Sequence, residues 1–140
     1  MSINVLETEW WTLQLPPEWW AEAEDESILI GDRDDVGCIE VSTLHKELGD
    51  FDAAEVAHIA AEESDLDLAW EKVHLGDFVG VSAAFLEDEA AIREWYVARG
   101  GMLLYITYSC EAEQQGLDDA AVDEILATLA VLQGSPSRAK

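Results

Sequence analysis

Residues Gly76–Glu111 read GDFVGVSAAFLEDEAAIREWYVARGGMLLYITYSCE. Their two-residue periodicity predicts three successive strands, Phe78–Glu87, Ala91–Arg99 and Met102–Cys110, joined by turns at Asp88–Ala90 and Gly100–Gly101. In the first strand Val79, Val81, Ala83 and Phe85 alternate with Gly80, Ser82, Ala84 and Leu86. One face is bulky and the other small, and the small face is expected to lie under a helix. In the third, Met102, Leu104, Ile106 and Tyr108 alternate with Leu103 and Tyr105. A strand that is apolar or aromatic on both sides is covered on both sides, so these two strands are expected at the centre of a sheet.

The middle strand is more amphipathic. Arg93, Trp95, Val97 and Arg99 share a face, opposed by Ile92, Glu94, Tyr96 and Ala98. Two of the seven basic residues therefore flank Trp95. The arrangement suits either a packed cation–π ladder or a recognition patch formed by Arg93, Trp95 and Arg99.

Outward from this stretch, Glu9–Leu15 alternates as a strand, and Pro16–Pro17 stops it because proline lacks a donor and restricts the residue before it. Pro17 suits the first turn of a short helix, Pro17–Glu24, which would carry Trp19 and Trp20 as a lid. Residues 1–8 show no period. Ser27–Ile30 and Gly37–Leu44 read as a hairpin around an acidic turn. Asp52 is a candidate N-cap for a helix over Ala53–Glu63, with Glu55 completing a capping box. Val56, Ile59 and Ala60 form the stripe of that helix that should meet the sheet. After an acidic loop at 64–68, Ala69–Leu75 alternates as a strand leading into Gly76–Glu111. Asp118 is expected to cap a last helix, Asp119–Gln133, with Val122, Ile125, Leu126, Leu129 and Leu132 on its apolar stripe and Gly134 as its stop.

Length and composition bound the answer. The chain has 140 residues, suited to one domain (1–134) with a flexible tail (135–140), and a hydrophobic fraction of 49% with six Trp supplies an ample core. Its formal charge of -24 comes from 31 acidic residues against seven Lys plus Arg, spread along the chain. Phosphate backbones and anionic lipid surfaces are bound through clustered cations, which are missing from this sequence, so nucleic acid and membrane are not expected partners. A basic protein is the partner such a charge permits. The amino terminus, MSINVLETEWW, has neither a positive region nor an apolar run, and a cytoplasmic chain, monomeric or homodimeric, is expected.

Candidate chemistry is sparse. A calcium loop counted from Asp32 places Gly37 correctly at its sixth position but ends on Thr43, where a Glu is needed. Glu55 and His58 share a helix face, which is half of a di-metal carboxylate site with no second half in the sequence. His45, His58 and His74 stand apart, without Cys or acidic companions at ligand spacing. Ser82 and Ser109 lie in strands with no nucleophile elbow, and Cys110 has no His near it in sequence. Cys38 and Cys110, each on a strand, suit buried apolar positions. No catalytic residue, cofactor or metal is assigned.

The element order, strand-rich and antiparallel with segregated helices, predicts an α+β protein. Helices on both sides of a central, mostly antiparallel sheet of six to seven strands make a three-layer α/β/α sandwich. Through WTLQLPPEWW, the covered hairpin and IREWYVARGGMLLYITYSCE followed by a carboxy-terminal helix, the chain resembles the PsbP-like superfamily, which also takes in the nuclear transport factor Mog and type VI secretion adaptors. The resemblance rests on element order and hydrophobic pattern, so no binding or catalytic residue is carried over. It implies a non-enzymatic adaptor or binding scaffold. The acidity adds an adaptor, chaperone or immunity-type interaction module as the expected function. The alternative expectation is a small-molecule binder or enzyme with a cleft lined by Trp10, Trp19, Trp20, Trp95 and tyrosines. Adaptation to high salt would explain the acidity without any partner.

Overall fold

The computed structural model describes residues 4–33, 36–63 and 68–132. In chain order its elements are β1 (Asn4–Glu7), β2 (Trp11–Leu15), β3 (Trp19–Ala23), β4 (Ser27–Asp32), β5 (Gly37–His45), α1 (Ala53–Glu63), β6 (Glu71–Leu75), β7 (Phe78–Glu87), β8 (Ala90–Arg99), β9 (Met102–Glu111), α2 (Asp119–Leu126) and β10 (Ala130–Val131). One 3-10 turn, Ala112–Gln114, links β9 to α2. Seven strands form one antiparallel sheet in the order β3-β4-β5-β9-β8-β7-β6, and β1-β2-β10 form a second.

Two apolar layers hold this together. On one face of the large sheet, Val81, Tyr96, Ala98 and Leu103 meet Val56 and Ala60 of α1. On the other, Ile30, Ile39, Val41, Trp95, Val97, Leu104, Ile106 and Tyr108 join Trp11, Leu13 and Leu15 of β2 and Val122, Ile125 and Leu126 of α2. Each fully buried aliphatic or aromatic side chain contributes about 1.5–3 kcal/mol relative to exposure. The result is the expected α+β sandwich: α1, the seven-stranded sheet, and a third layer in which α2 shares its place with the small sheet.

β9 sits at the middle of the large sheet, as its two-sided apolarity requires, whereas β7 lies next to the β6 edge instead of at the centre. The helix also covers the other face of β7 from the one its small residues suggest. Val81 packs beneath α1, while Gly80 and Ser82 pair with Val97 and Trp95 on the larger core. The small side chains make room for those bulky cross-strand partners. A side chain at Gly80 would collide with the Tyr96 carbonyl, so glycine is what lets β7 approach β8 so closely.

The segment after Pro17 is strand β3 and not a lid helix. Trp19 N–H donates to the Pro16 carbonyl at 3.0 Å, so Pro17 occupies the first corner of a β-turn, a role its fixed φ serves as well as a helix start. Trp20 then lies across Gly31 of β4, its cross-strand partner. β1, in the region without periodicity, pairs with β2 from Asn4↔Leu15 to Glu7↔Thr12.

The last helix stops at Leu126, seven residues before the expected Gln133. Thr128 Oγ1 donates to the Ile125 carbonyl at 2.6 Å and accepts Gln14 N–H at 2.9 Å, turning the helix end into an anchor on β2. Ala130 and Val131 consequently pair with Thr12 and Trp11 as β10. Val122, Ile125, Leu126 and Leu129 are buried as the apolar stripe predicts. Asp118 occupies the N-cap position, but its carboxylate makes no capping bond and instead accepts the Tyr108 hydroxyl. Residues 34–35 of the acidic turn, 64–67 of the acidic loop, and Gly134 with the tail lie outside the described residues.

Cys110 faces Gly37 and Cys38 faces Ser109 across β5 and β9. Successive side chains alternate, so the two thiols point to opposite sides of the sheet and form no disulfide.

Candidate functional site

The sheet face beneath α1 is wider than one helix, and this mismatch defines the candidate site. The helix start is fixed first. Asp52 Oδ1 accepts Glu55 N–H at 2.8 Å, as the capping pattern predicts. The Glu55 carboxylate does not return the bond; it takes Lys46 Nζ at 2.7 Å. Lys46 N–H and Phe51 N–H each donate to the Gly100–Gly101 turn at 2.8 Å, and Lys46 Nζ stands 5.1 Å over the Phe51 ring. Held at this end, α1 lies along the sheet with a groove on either side.

The first groove, about 470 Å³, runs between α1 and the β5–β9 side. Phe51, Tyr96 and Tyr105 form its aromatic walls, Leu44, Ile59 and Leu103 its aliphatic surfaces, and His45 and Glu63 its ends. The pairing Tyr96↔Tyr105 places the two phenol rings 4.7 Å apart at 32°, and Trp70 meets Tyr96 edge-on at 5.6 Å. Tyr105 Oη donates to Glu94 Oε2 at 2.8 Å. Burial, then the Glu94 and Glu63 charges, push the Tyr96 phenol up to about 12. Burial, followed by the hydrogen bond and charge of Glu94, pushes Tyr105 up as well. Both phenols stay protonated at neutral pH, and Tyr105 is the one that donates to Glu94.

The second groove, about 440 Å³, lies between α1 and the β6–β7 edge. Val56, Ala57, Val73, Val79 and Val81 line it, with Lys72 and His74 at its β6 wall. Val79 is half exposed there. At the far end of the large sheet Asp88, Glu89, Glu111 and Glu113 surround a hollow of about 320 Å³.

Arg93, Trp95 and Arg99 are on one face of β8, but they do not form a common exposed patch. The Arg93 guanidinium lies 4.6 Å over the Trp95 ring and pairs with Asp119 at 3.3 Å and Asp123 at 2.7 Å on α2. Trp95 is 2% exposed. Arg99 is exposed at the other end of the strand and donates to the Asp77 carbonyl at 3.4 Å. The first two are placed as a packed cation–π pair that ties α2 to the sheet. The expected Trp cleft is not assembled either: Trp19 and Trp95 are buried, while Trp20 covers Gly31 and Trp10 meets His45 at 4.7 Å with the rings tilted by 60°.

In the sequence the groove residues are visible only as an opposing face. Glu94, Tyr96 and Ala98 alternate away from Arg93, and Tyr105 falls on the lesser face of β9. Register was the missing signal, because only the pairing of β8 with β9 brings the two tyrosines together. His58 contacts Glu62 at 3.2 Å on the exposed side of α1. Among the described residues no three His, Cys, Asp or Glu side chains are grouped to hold a metal ion, and no helix is long and apolar enough to cross a membrane.

The antiparallel seven-stranded sheet, with one helix on one face and a helix with a small sheet on the other, is similar in fold to a PsbP protein. The solution structure of cyanobacterial PsbP (CyanoP) from Synechocystis sp. PCC 6803 superposes with a TM-score of 0.59 at 12% identity, covering 94% of this chain and 93% of that one. A crystal structure from Bacteroides thetaiotaomicron VPI-5482 gives a TM-score of 0.66 at 16% identity over 90% of this chain; the match spans 46% of the Bacteroides chain. These likenesses are of fold. No protein-family model and no curated protein sequence matches the chain.

Proposed function

We propose that the protein is a non-enzymatic interaction module of the adaptor, chaperone or immunity type that receives a basic protein. The carrying observation is the imbalance of charge after internal pairing is counted. Among 31 acidic and seven basic residues, Lys46 and Arg93 are already committed to Glu55, Asp119 and Asp123. Four acidic residues line the hollow at the β7–β8 turn, and none of them is in an ion pair among the described residues. Such surfaces steer cationic partners and gain affinity as salt falls. Affinity capture at low salt, followed by titration of each captured protein against the wild type and an Asp88→Asn, Glu89→Gln, Glu111→Gln, Glu113→Gln variant, tests this. Salt-sensitive binding weakened by the variant supports it; retention of nothing at any salt sinks it. Melting in rising potassium chloride separates this reading from salt adaptation, for which the fold itself would need molar salt.

The groove beside β6 favours a second reading, a small-molecule binding protein. Its volume of about 440 Å³ and aliphatic lining fall in the range of ligand sites, and Lys72 at its wall suits an anionic head group. Binding of a medium-chain fatty acid that Val79→Asp abolishes would favour it over the first.

A further inference from the structure

The aromatic groove has a chemistry that the acidic surface as a whole does not. It offers the half-buried phenol of Tyr105, backed by the buried Tyr96 and Leu103, aliphatic contact at Leu44 and Ile59, and Glu63 at one end. Glu94 is hydrogen-bonded to Tyr105, and both Glu94 and Glu63 act on the Tyr96 phenol through their charge. In the groove wall Phe51 already carries a cation, Lys46, over its ring.

The carboxy-terminal turn of α1 reinforces the acidic character of the Glu63 end. Carbonyl groups at a helix end carry partial negative charge, which cations near that end stabilise. Here the last turn holds Glu62 and Glu63 and no basic residue. Like charge is thus concentrated at the end of α1 that borders the groove, uncompensated by any cation of the same turn.

We propose that this groove is the seat of an arginine side chain from the basic partner, together with an aliphatic residue adjacent to it. The inference rests on the interaction reading above and gives it a location. Arginine fits better than lysine for two reasons. A planar guanidinium stacks on phenol rings and retains its hydrogen-bonding edge, and that edge can fork onto a carboxylate such as Glu63. A lysine ammonium is a strongly hydrated point charge and gains less from a ring face. The groove, at about 470 Å³, has room for the guanidinium on Tyr105 and a second side chain against Leu44 and Ile59.

The test uses a defined probe, N-acetyl-arginyl-leucinamide, titrated into the full chain while the aromatic ring protons are followed by NMR. Citrulline and lysine versions serve as the neutral isostere and the point charge. The expected result is movement of the Tyr96 and Tyr105 ring signals, with binding about five- to tenfold weaker for lysine, for citrulline and for Glu63→Gln. Glu63 is exposed, so this variant leaves the core intact. Equal shifts with citrulline, or shifts confined to the β7–β8 turn, overturn the proposal. The full basic partner separates this inference from its parent. If Glu63→Gln and Tyr105→Leu leave its affinity unchanged while the four-carboxylate variant weakens it, the groove assignment falls and the interaction reading stands. If no basic protein binds at any salt, the parent reading falls.

Discussion

Tyr108 donates its phenolic hydrogen to Asp118 across 2.8 Å, joining the central strand to the start of α2 inside the larger core. Asp118 is 9% exposed and Tyr108 is 2% exposed, so water cannot replace either partner. The ring also lies over Gly37, where any side chain would collide with it. Tyr108→Phe should cost about 1–3 kcal/mol, because it strands a buried carboxylate without its donor. Urea unfolding measures this, and Asp118→Asn, which keeps an acceptor, should cost less. Equal stability of Tyr108→Phe and the wild type would refute the role of the bond.

Stability should fall in alkali. Burial raises Tyr96 to about 12, and burial with carboxylate neighbours raises Tyr105 and Tyr108 as well, from the ordinary 10.0. As pH passes about 10 the unfolded chain loses phenolic protons that the folded chain retains. The unfolded state then binds fewer protons, so unfolding free energy decreases with pH. The contribution is complete below about 10 and is lost as pH rises through the folded values. Denaturant midpoints that stay constant from about pH 9 to pH 11.5 would contradict this assignment.

Gly76 and Gly116 both have positive φ, at 61° and 90°, but their surroundings differ. A side chain at Gly116 meets open space, whereas one at Gly76 runs into the Leu129 carbonyl, which also accepts Asp77 N–H at 2.9 Å. Gly116→Ala should cost about 1–2 kcal/mol from backbone conformation alone. Gly76→Ala adds the loss of a hydrogen bond and should cost about 2–3 kcal/mol. Thermal melts of the two variants in one buffer decide the ranking.

Arg93 works as a strap between β8 and α2. Arg93→Met should destabilise by about 1–2 kcal/mol through the lost indole contact and the lost Asp119 and Asp123 pairs. The carboxylates are more than half exposed, so the loss should shrink in high salt. A deficit that does not depend on salt would assign the whole effect to the Trp95 contact.

Legibility followed periodicity. β7, α1 and the four-strand run from β6 were readable because each repeats its pattern over several turns or pleats, and the boundaries of β7 and α1 agree to the residue. The segment 17–24 was not, because a proline at the first corner of a turn and one at a helix start look the same locally. Only the available edge of β4 decides for the strand. The end of α2 is hidden in the sequence because Leu129 continues the helical spacing even after Thr128 has turned the chain toward β2. Individual residues of the aromatic groove were visible, but their convergence depends on pairing Tyr96 with Tyr105, and alternation alone does not set register.

β10 lies against β2, with Val131 opposite Trp11 and Leu132 N–H donating to the Trp10 carbonyl at 2.9 Å. In time the β2–β10 pairing should be a late event. It closes a loop of about 120 residues, while the hairpins from β6 to β9 join neighbours across short turns and can form without it. Trp11, buried under that closure and bonded through Nε1 to Thr43 at 3.0 Å, is the residue whose environment changes last. Its fluorescence should therefore trail hydrogen-exchange protection of the β8–β9 amides during refolding.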